Sequence, residues 1–297
     1  FQRHSTSKLK SSNDLFKIKT KGFRGEALSS ISSISQVEVH TNQSKKKLGN
    51  MILIQGNKIY EEGVSSTQKG TSINVKKIFY NVPARRNFLK SNNVELKKNI
   101  DEFHRIALSH PEIKFKFHHN KTELFDLPST KIKNRICSIF GNKINEFLVP
   151  LKERTSVANI DGYVVKPNFA KKTRGYQFLF VNNRFIKSSF LHHAVVSAYE
   201  GLLSEKFHPG YFIFLTVDPS KIDINIHPTK TEVKFEEDQS IFAILKSSIK
   251  HSLGVFQIAP SIDFNNNTVI ETPYDLKNKT PNYPSLEINA KFNPFFK

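Results

Sequence analysis

The stretch Gly22-Phe23-Arg24-Gly25-Glu26-Ala27-Leu28 carries the reading of this chain. Two glycines three apart let the backbone approach another group closely, because neither carries a Cβ. A short helix pattern follows at once, from Gly25 to Ser33. The first amides of a helix lack intrahelical partners, and its N-terminal end carries partial positive charge. A glycine turn opening on a helix is therefore suited to phosphate. Read alone, the two glycines describe an ordinary turn more often than a ligand site.

Outward from this run, strand and helix patterns interleave. Gln36–Thr41 alternates as a strand does, and Met51–Gln55 and Lys58–Glu61 flank Gly56-Asn57, a two-residue hairpin signal. Thr71–Lys76 alternates again. Leu96, Ile100, Phe103 and Ala107 share one helical face, and His110-Pro111 ends that helix. Ile113, Phe115 and Phe117 alternate with polar residues, and Thr122–Leu127 returns after Asn120-Lys121. Pro128-Ser129 is the expected boundary between two units. A helix is expected over Lys131–Phe140 with Gly141 closing it. Strands follow near Phe147–Leu151, Ser156–Val165 and Gln177–Val181, with Asn182-Asn183 as a turn. A helix over Phe190–Leu203, strands over Tyr211–Val217, Ile222–Ile226 and Glu232–Phe235, and a last helix through Ile241, Leu245 and Ile249 complete a mixed α/β chain. From about Pro260 the pattern stops. Asn265-Asn266-Asn267, scattered prolines and aromatic residues read as a linker.

The chain has 297 residues, enough for about two domains. No run approaches the ~18 uncharged apolar residues of a membrane-spanning helix. A single cysteine, Cys137, excludes an internal disulfide and a cysteine-rich zinc site, and its apolar surroundings favour a structural role over a reactive thiol. The net charge of +19 points to polyanionic partners, although a lysine-rich composition alone would also produce it. The excess is +12 over residues 1–130, +7 over 131–260 and 0 over 261–297, so it belongs to the two patterned units and not to a tail. His118-His119 and His192-His193 are adjacent pairs, which gives no metal-ligand spacing.

The seven residues of the opening stretch resemble the phosphate-binding motif of MutL-type mismatch-repair ATPases. Arg3-His4-Ser5-Thr6-Ser7-Lys8 resembles the family's lid, Gly70-Thr71 its Gly-Thr pair, and the run from Phe79 through Pro83-Ala84-Arg85 to Lys90 its Asn-Thr-Pro-Ala-Arg segment. Val181-Asn182-Asn183-Arg184 resembles its Val-Asn-Gly-Arg turn, and the run Asp223 to Val233, with His227-Pro228-Thr229-Lys230 at its centre, its His-Pro-Ala-Lys block. These blocks stand in the family's order over most of residues 3–235. The resemblance implies an incomplete GHKL-type ATPase α/β sandwich over residues 1–130. A ribosomal-protein-like βαβ domain would cover 131–258, and a linker 259–297.

It also implies roles. Gly22, Phe23, Arg24, Gly25, Glu26 and Ala27 would wrap the phosphates of ATP. Lys8 would reach them as a point charge from the lid. Thr71 would bond near the adenine end, and Lys230 would cross from the second unit to the γ-phosphate. Arg24 and Glu26 could instead be a surface pair, and His227, fixed before Pro228, is expected to be structural. Lys171, Lys172, Arg174, Arg184 and Lys187 are candidates for DNA-backbone contact, with solvated loop cations as the plain alternative.

The start at Phe1 carries neither a Met nor a signal sequence, so a natural N-terminus upstream is expected. The family's general-base Glu, its Mg²⁺-binding Asn and its adenine-binding Asp-x-Gly would lie there, so the resemblance implies an ATPase in the intact protein and no hydrolysis by this chain. The expected partners are double- and single-stranded DNA, a MutS-type mismatch-recognition protein and a second copy of the chain, in a cytoplasmic, nucleoid-associated setting without a membrane. A non-hydrolysing DNA-binding or assembly protein of the same fold remains an alternative, as does a gyrase-like GHKL ATPase. The His-Pro-x-Lys and Gly-Phe-Arg-Gly-Glu-Ala blocks argue against the gyrase-like one.

Overall fold

A computed structural model describes residues 1–9, 20–43, 48–223 and 232–257, all within one unit spanning Phe1–Ile258. The glycine run opens, as its pattern requires, on a helix, α1 (Ala27–Ser33). The helix packs on a four-stranded antiparallel sheet of β1 (Gln36–Asn42), β2 (Leu48–Gln55), β3 (Lys58–Ser66) and β4 (Gly70–Lys76), in the order β3-β2-β1-β4. Gly56 and Asn57 both take positive φ, 56° and 64°, the geometry of a tight two-residue hairpin. Val37 and Ile54 are fully buried under α1, whereas β4 is exposed along its whole length and Ile59, Tyr60, Ile73 and Val75 remain open.

A five-residue helix, α2 (Pro83–Asn87), begins at a proline already set to helical φ; the sequence pattern was too short to show it. The next helix, α3 (Asn92–Ser109), ends at His110 as expected. It lies on a hairpin of β5 (Phe115–His119) and β6 (Thr122–Leu127). The Phe103 ring meets Phe117 at 4.9 Å and stacks on Phe125 at 5.4 Å, which accounts for the alternation of Phe115 and Phe117.

Beyond Pro128 come α4 (Ile132–Phe140), β7 (Leu148–Arg154), β8 (Asn159–Val165), β9 (Gln177–Val181), β10 (Arg184–Phe185), α5 (Ser189–Ala198), β11 (Tyr211–Thr216), the pair β12 (Ile222–Asp223) and β13 (Lys234–Phe235), and α6 (Asp238–Gln257). Gly141 closes α4 at φ 92° with its N–H on the Cys137 carbonyl at 2.8 Å. Cys137 is half-buried, packed beside the Ile136 cluster. The expected helix over Phe190–Leu203 stops at Ala198, because the chain turns at Tyr199 and passes through Gly201 at φ 79°. Of the strand expected over Ile222–Ile226, only Ile222–Asp223 lies among the described residues.

The second sheet has the order β10-β9-β11-β8-β7. β9 and β11 run parallel, so the chain between them must cross over, and α5 makes that crossing. Both faces of this sheet are covered. Leu179, Val181, Ile213 and Leu215 meet α5 and α6 on one side; Phe180 and Phe212 meet Leu108 of α3 and Ile136 of α4 on the other. A strand buried on both faces reads as a continuous apolar run, which is what Tyr211–Leu215 is.

Arg135 of α4 sits where that helix meets the β5–β6 hairpin and the end of α3. It is fully buried, and its Nη2 donates to the carbonyls of Pro111, Ile113 and Pro128 at 2.8–2.9 Å. The guanidinium also lies over the Phe115 ring at 5.5 Å. One planar cation thus gathers the end of α3, the start of β5 and the exit of β6. Arg135→Ala leaves those carbonyls without their donor and is expected to cost about 3 kcal/mol in a urea melt. Arg135→Lys should recover less than half of the loss. An unfolding midpoint unchanged by both substitutions would contradict this role.

Candidate functional site

The glycine run is held from the chain's own first residues. Gly25 takes φ 66°, and a Cβ built on it would stand 2.1 Å from the Ser5 carbonyl oxygen and 2.6 Å from the Ser5 carbonyl carbon. No side chain fits there, so Gly25 is required by close backbone approach. Gly22 meets nothing within 4 Å and has no such constraint. Phe23 is buried and anchors the loop, with Arg24 6.0 Å from its ring centroid. Glu26 precedes α1 and pairs with His4, Nδ1 to Oε1 at 3.4 Å, in an exposed contact. The Lys8 N–H donates to the Thr6 hydroxyl at 3.1 Å.

Between these two stretches lies a cavity of about 560 Å³, lined by Phe1, Gln2, residues 5–8 and residues 22–30. Lys8 and Gly22 to Ala27 therefore line one cavity. Thr71 does not. It lies opposite Thr41 in the β1–β4 pairing, and its hydroxyl lies 2.8 Å from that of Thr41. Lys230 and His227 lie outside the described residues. A second cavity of about 560 Å³ opens at one end of the five-stranded sheet, among residues 155–159, Asn182 and 216–219.

The loop has a further attachment that the sequence did not reveal. Arg184, the first residue of β10, places Nη2 3.2 Å from the carbonyl oxygens of both Thr20 and Lys21. The Lys21 Nζ donates to the Ser109 hydroxyl at the end of α3, at 2.7 Å. Burial is the main cause that lowers the pKa of Lys21, with the neighbouring Arg184 charge adding to it and Glu112 opposing. Arg184 is half-buried and turned inward, which is at odds with its expected place on a DNA-facing surface.

Lys171, Lys172, Arg174 and Lys187 are exposed. Lys171 donates to the Tyr176 hydroxyl at 2.7 Å, lies over that ring at 4.1 Å, and bridges to His208 through the backbone. Nearby, His192 Nδ1 is 3.0 Å from the Tyr211 hydroxyl. Burial is the main cause that lowers its pKa, helped by Arg174, His208 and His193, so this end of the sheet carries positive charge. Among the described residues no group of His, Cys, Asp and Glu could hold a metal, and no helix is long and apolar enough to cross a membrane.

A family model described as DNA mismatch repair protein, C-terminal domain, matches residues 136–254. The DNA mismatch repair protein MutL of Christiangramia forsetii is 55% identical over 295 residues, covering 99% of this chain and 48% of that protein. MutL of Flavobacterium psychrophilum is 52% identical with the same coverage, and that of Bacteroides fragilis 45%, covering 99% of this chain and 47% of that protein. The chain thus spans about half the length of these curated relatives. Among solved structures, the N-terminal domain of a DNA repair protein superposes with a TM-score of 0.71 at 24% identity, covering 82% of this chain and 79% of that one. The ATPase domain of Aquifex aeolicus MutL complexed with ADP gives 0.55 at 21%, covering 79% and 80%. The structural likenesses establish the shared mixed α/β fold. With more than half of its residues identical to one relative across nearly its whole length, the chain belongs to the MutL family of DNA mismatch repair proteins.

Proposed function

We propose that this chain binds ATP in the cavity over Gly22–Ala27 and serves mismatch repair as part of a nucleotide-driven clamp on DNA. The observation that carries the reading is the seating of residues 5–8 on the glycine loop, with Gly25 against Ser5 and a cavity between. Its volume lies within the ~300–1,000 Å³ of small-molecule sites. Its donors suit a polyphosphate: glycine backbone and the cations Lys8 and Arg24; the one carboxylate in the lining, Glu26, is paired with His4. Bound ATP would supply a triphosphate to be neutralised and oriented. Lys8 would hold it from the lid, Gly22 and Gly25 would admit it close to backbone, and Lys230 would reach the γ-phosphate from the second unit. Mg²⁺ would arrive with the nucleotide, and no step here depends on where it sits.

In this reading residues 1–130 and 131–258 are two domains joined near Pro128, followed by a linker over 259–297. ATP would order the lid, dock the second domain through Lys230 and pair two copies around DNA. Exposed Lys171, Lys172, Arg174 and Lys187 would contact the backbone of double- or single-stranded DNA, and Thr71 would lie towards the adenine end. A MutS-type protein would be the upstream partner, in a cytoplasmic, nucleoid-associated setting. The 55% identity to a MutL protein supports this assignment over a gyrase-like one.

Titration with a non-hydrolysable ATP analogue tests the site. Gly25→Ala should weaken binding at least ~10-fold, since strain at positive φ adds to the Ser5 clash, whereas Gly22→Ala should stay within about threefold. Equal effects would contradict the close-approach argument. Lys230→Ala should weaken the triphosphate analogue by roughly tenfold and ADP hardly at all. Equal losses for both nucleotides would remove its γ-phosphate role. DNA affinity should fall steeply with salt, and Lys171→Glu/Arg174→Glu should flatten the slope by about one to two units. An unchanged slope would exclude that loop from the DNA path.

A further inference from the structure

We propose that Arg184 is a positioning residue through which the second sheet sets the shape of the glycine loop for its phosphate ligand, an inference that rests on reading the cavity over Gly22–Ala27 as a nucleotide site. In extended backbone, successive residues face opposite sides of the chain. One Nη2 meeting the carbonyls of both Thr20 and Lys21 therefore holds these residues in a bend just before Gly22. The Thr20 hydroxyl donates to the next carbonyl, that of Gly22, at 3.1 Å. The carbonyls of three consecutive residues thus have donors where the chain enters the cavity wall. Donors on these oxygens offset part of the repulsion that carbonyls close to the cavity would exert on a phosphate.

The mounting of Arg184 is rigid. It follows the turn at Asn182 and Asn183, both at positive φ, 47° and 62°. The Asn182 side chain is bonded twice to Val217 at the end of β11, Nδ2 to the carbonyl at 2.9 Å and Oδ1 from the N–H at 3.0 Å. Phe185, the next residue, lies under the Arg105 guanidinium of α3 at 4.3 Å, and Ile186 is buried in the main core. Lys21 is tied to that same helix α3 through Ser109. A change at the end of β11 can therefore reach the loop through one short path: Val217, Asn182, Arg184, Thr20-Lys21, Gly22. A guanidinium can serve two carbonyls from a fixed plane, whereas a lysine ammonium in its place would serve them less well.

The experiment uses the full chain as wild type, Arg184→Ala and Arg184→Lys. Four quantities are read: affinity for Mg²⁺ with adenylyl imidodiphosphate, amide hydrogen exchange over residues 20–28 without nucleotide, thermal midpoint, and affinity for a 20-base-pair duplex. The expected result for Arg184→Ala is nucleotide binding weakened about 10-fold, with faster exchange confined to residues 20–28, as follows from losing a charge-assisted bond to two carbonyls. Its thermal midpoint and duplex affinity should stay close to wild type. Arg184→Lys should restore part of the affinity and part of the protection. Unchanged nucleotide affinity in both variants overturns the role while leaving the nucleotide site standing. A midpoint that falls in step with affinity, without rescue by lysine, makes Arg184 merely structural and also overturns it. So does a loss of duplex affinity in place of nucleotide affinity. A wild type that binds no nucleotide overturns the site reading and this role together.

Discussion

The backbone of Gly25 occupies a place where no side chain can stand, 2.1 Å from the Ser5 carbonyl measured at a virtual Cβ. This contact joins the first residues of the chain to the loop before α1. Without it residues 5–8 would have no seat, and the cavity would lose one wall. A positive φ, 66°, and close backbone approach require the same residue for independent reasons. The loop is then fixed on its other flank by Arg184, so its shape depends on two distant parts of the sequence.

That second attachment depends in turn on how the two sheets are joined. The five-stranded sheet is covered on one face by α5 and α6, and on the other by α4 with the end of α3. Because α3 also carries the β5–β6 hairpin through Phe103, it belongs to both halves of the described chain. Arg135 closes the joint from below by binding three carbonyls, and Arg105 closes it from the β10 side over Phe185. Two arginines packed against aromatic rings thus hold the sheet that presents Arg184. Each lays a planar guanidinium against a ring, and Arg135 adds bonds from Nη2 to three carbonyls.

Most of the helices and strands were legible in the sequence because their signals are local. The Gly56-Asn57 hairpin follows from turn chemistry, the end of α3 from His110-Pro111, and the doubly buried β11 from its apolar run. Residues that line the cavity were legible because Lys8 and Gly22–Ala27 lie in short motifs. The attachment of Arg184 to the loop left no mark in the sequence, because its partners, Thr20 and Lys21, stand more than 160 positions away and are backbone atoms without a sequence signature. Thr71 shows the converse. Its Gly-Thr motif was visible, but strand register aims its hydroxyl at Thr41. The short α2 and the early end of α5 escaped notice because a five-residue helix has too few turns to show a period, and a glycine two residues past Tyr199 ends a pattern that apolar spacing alone would continue.

The most direct test is a crystal structure of the chain grown with Mg²⁺ and adenylyl imidodiphosphate. The account requires phosphate density against the backbone of Gly22 to Ala27, with the Lys8 ammonium beside it and the Gly25–Ser5 contact intact. Nucleotide seated in the other cavity, among residues 155–159 and Asn182, with the glycine loop untouched, would contradict it.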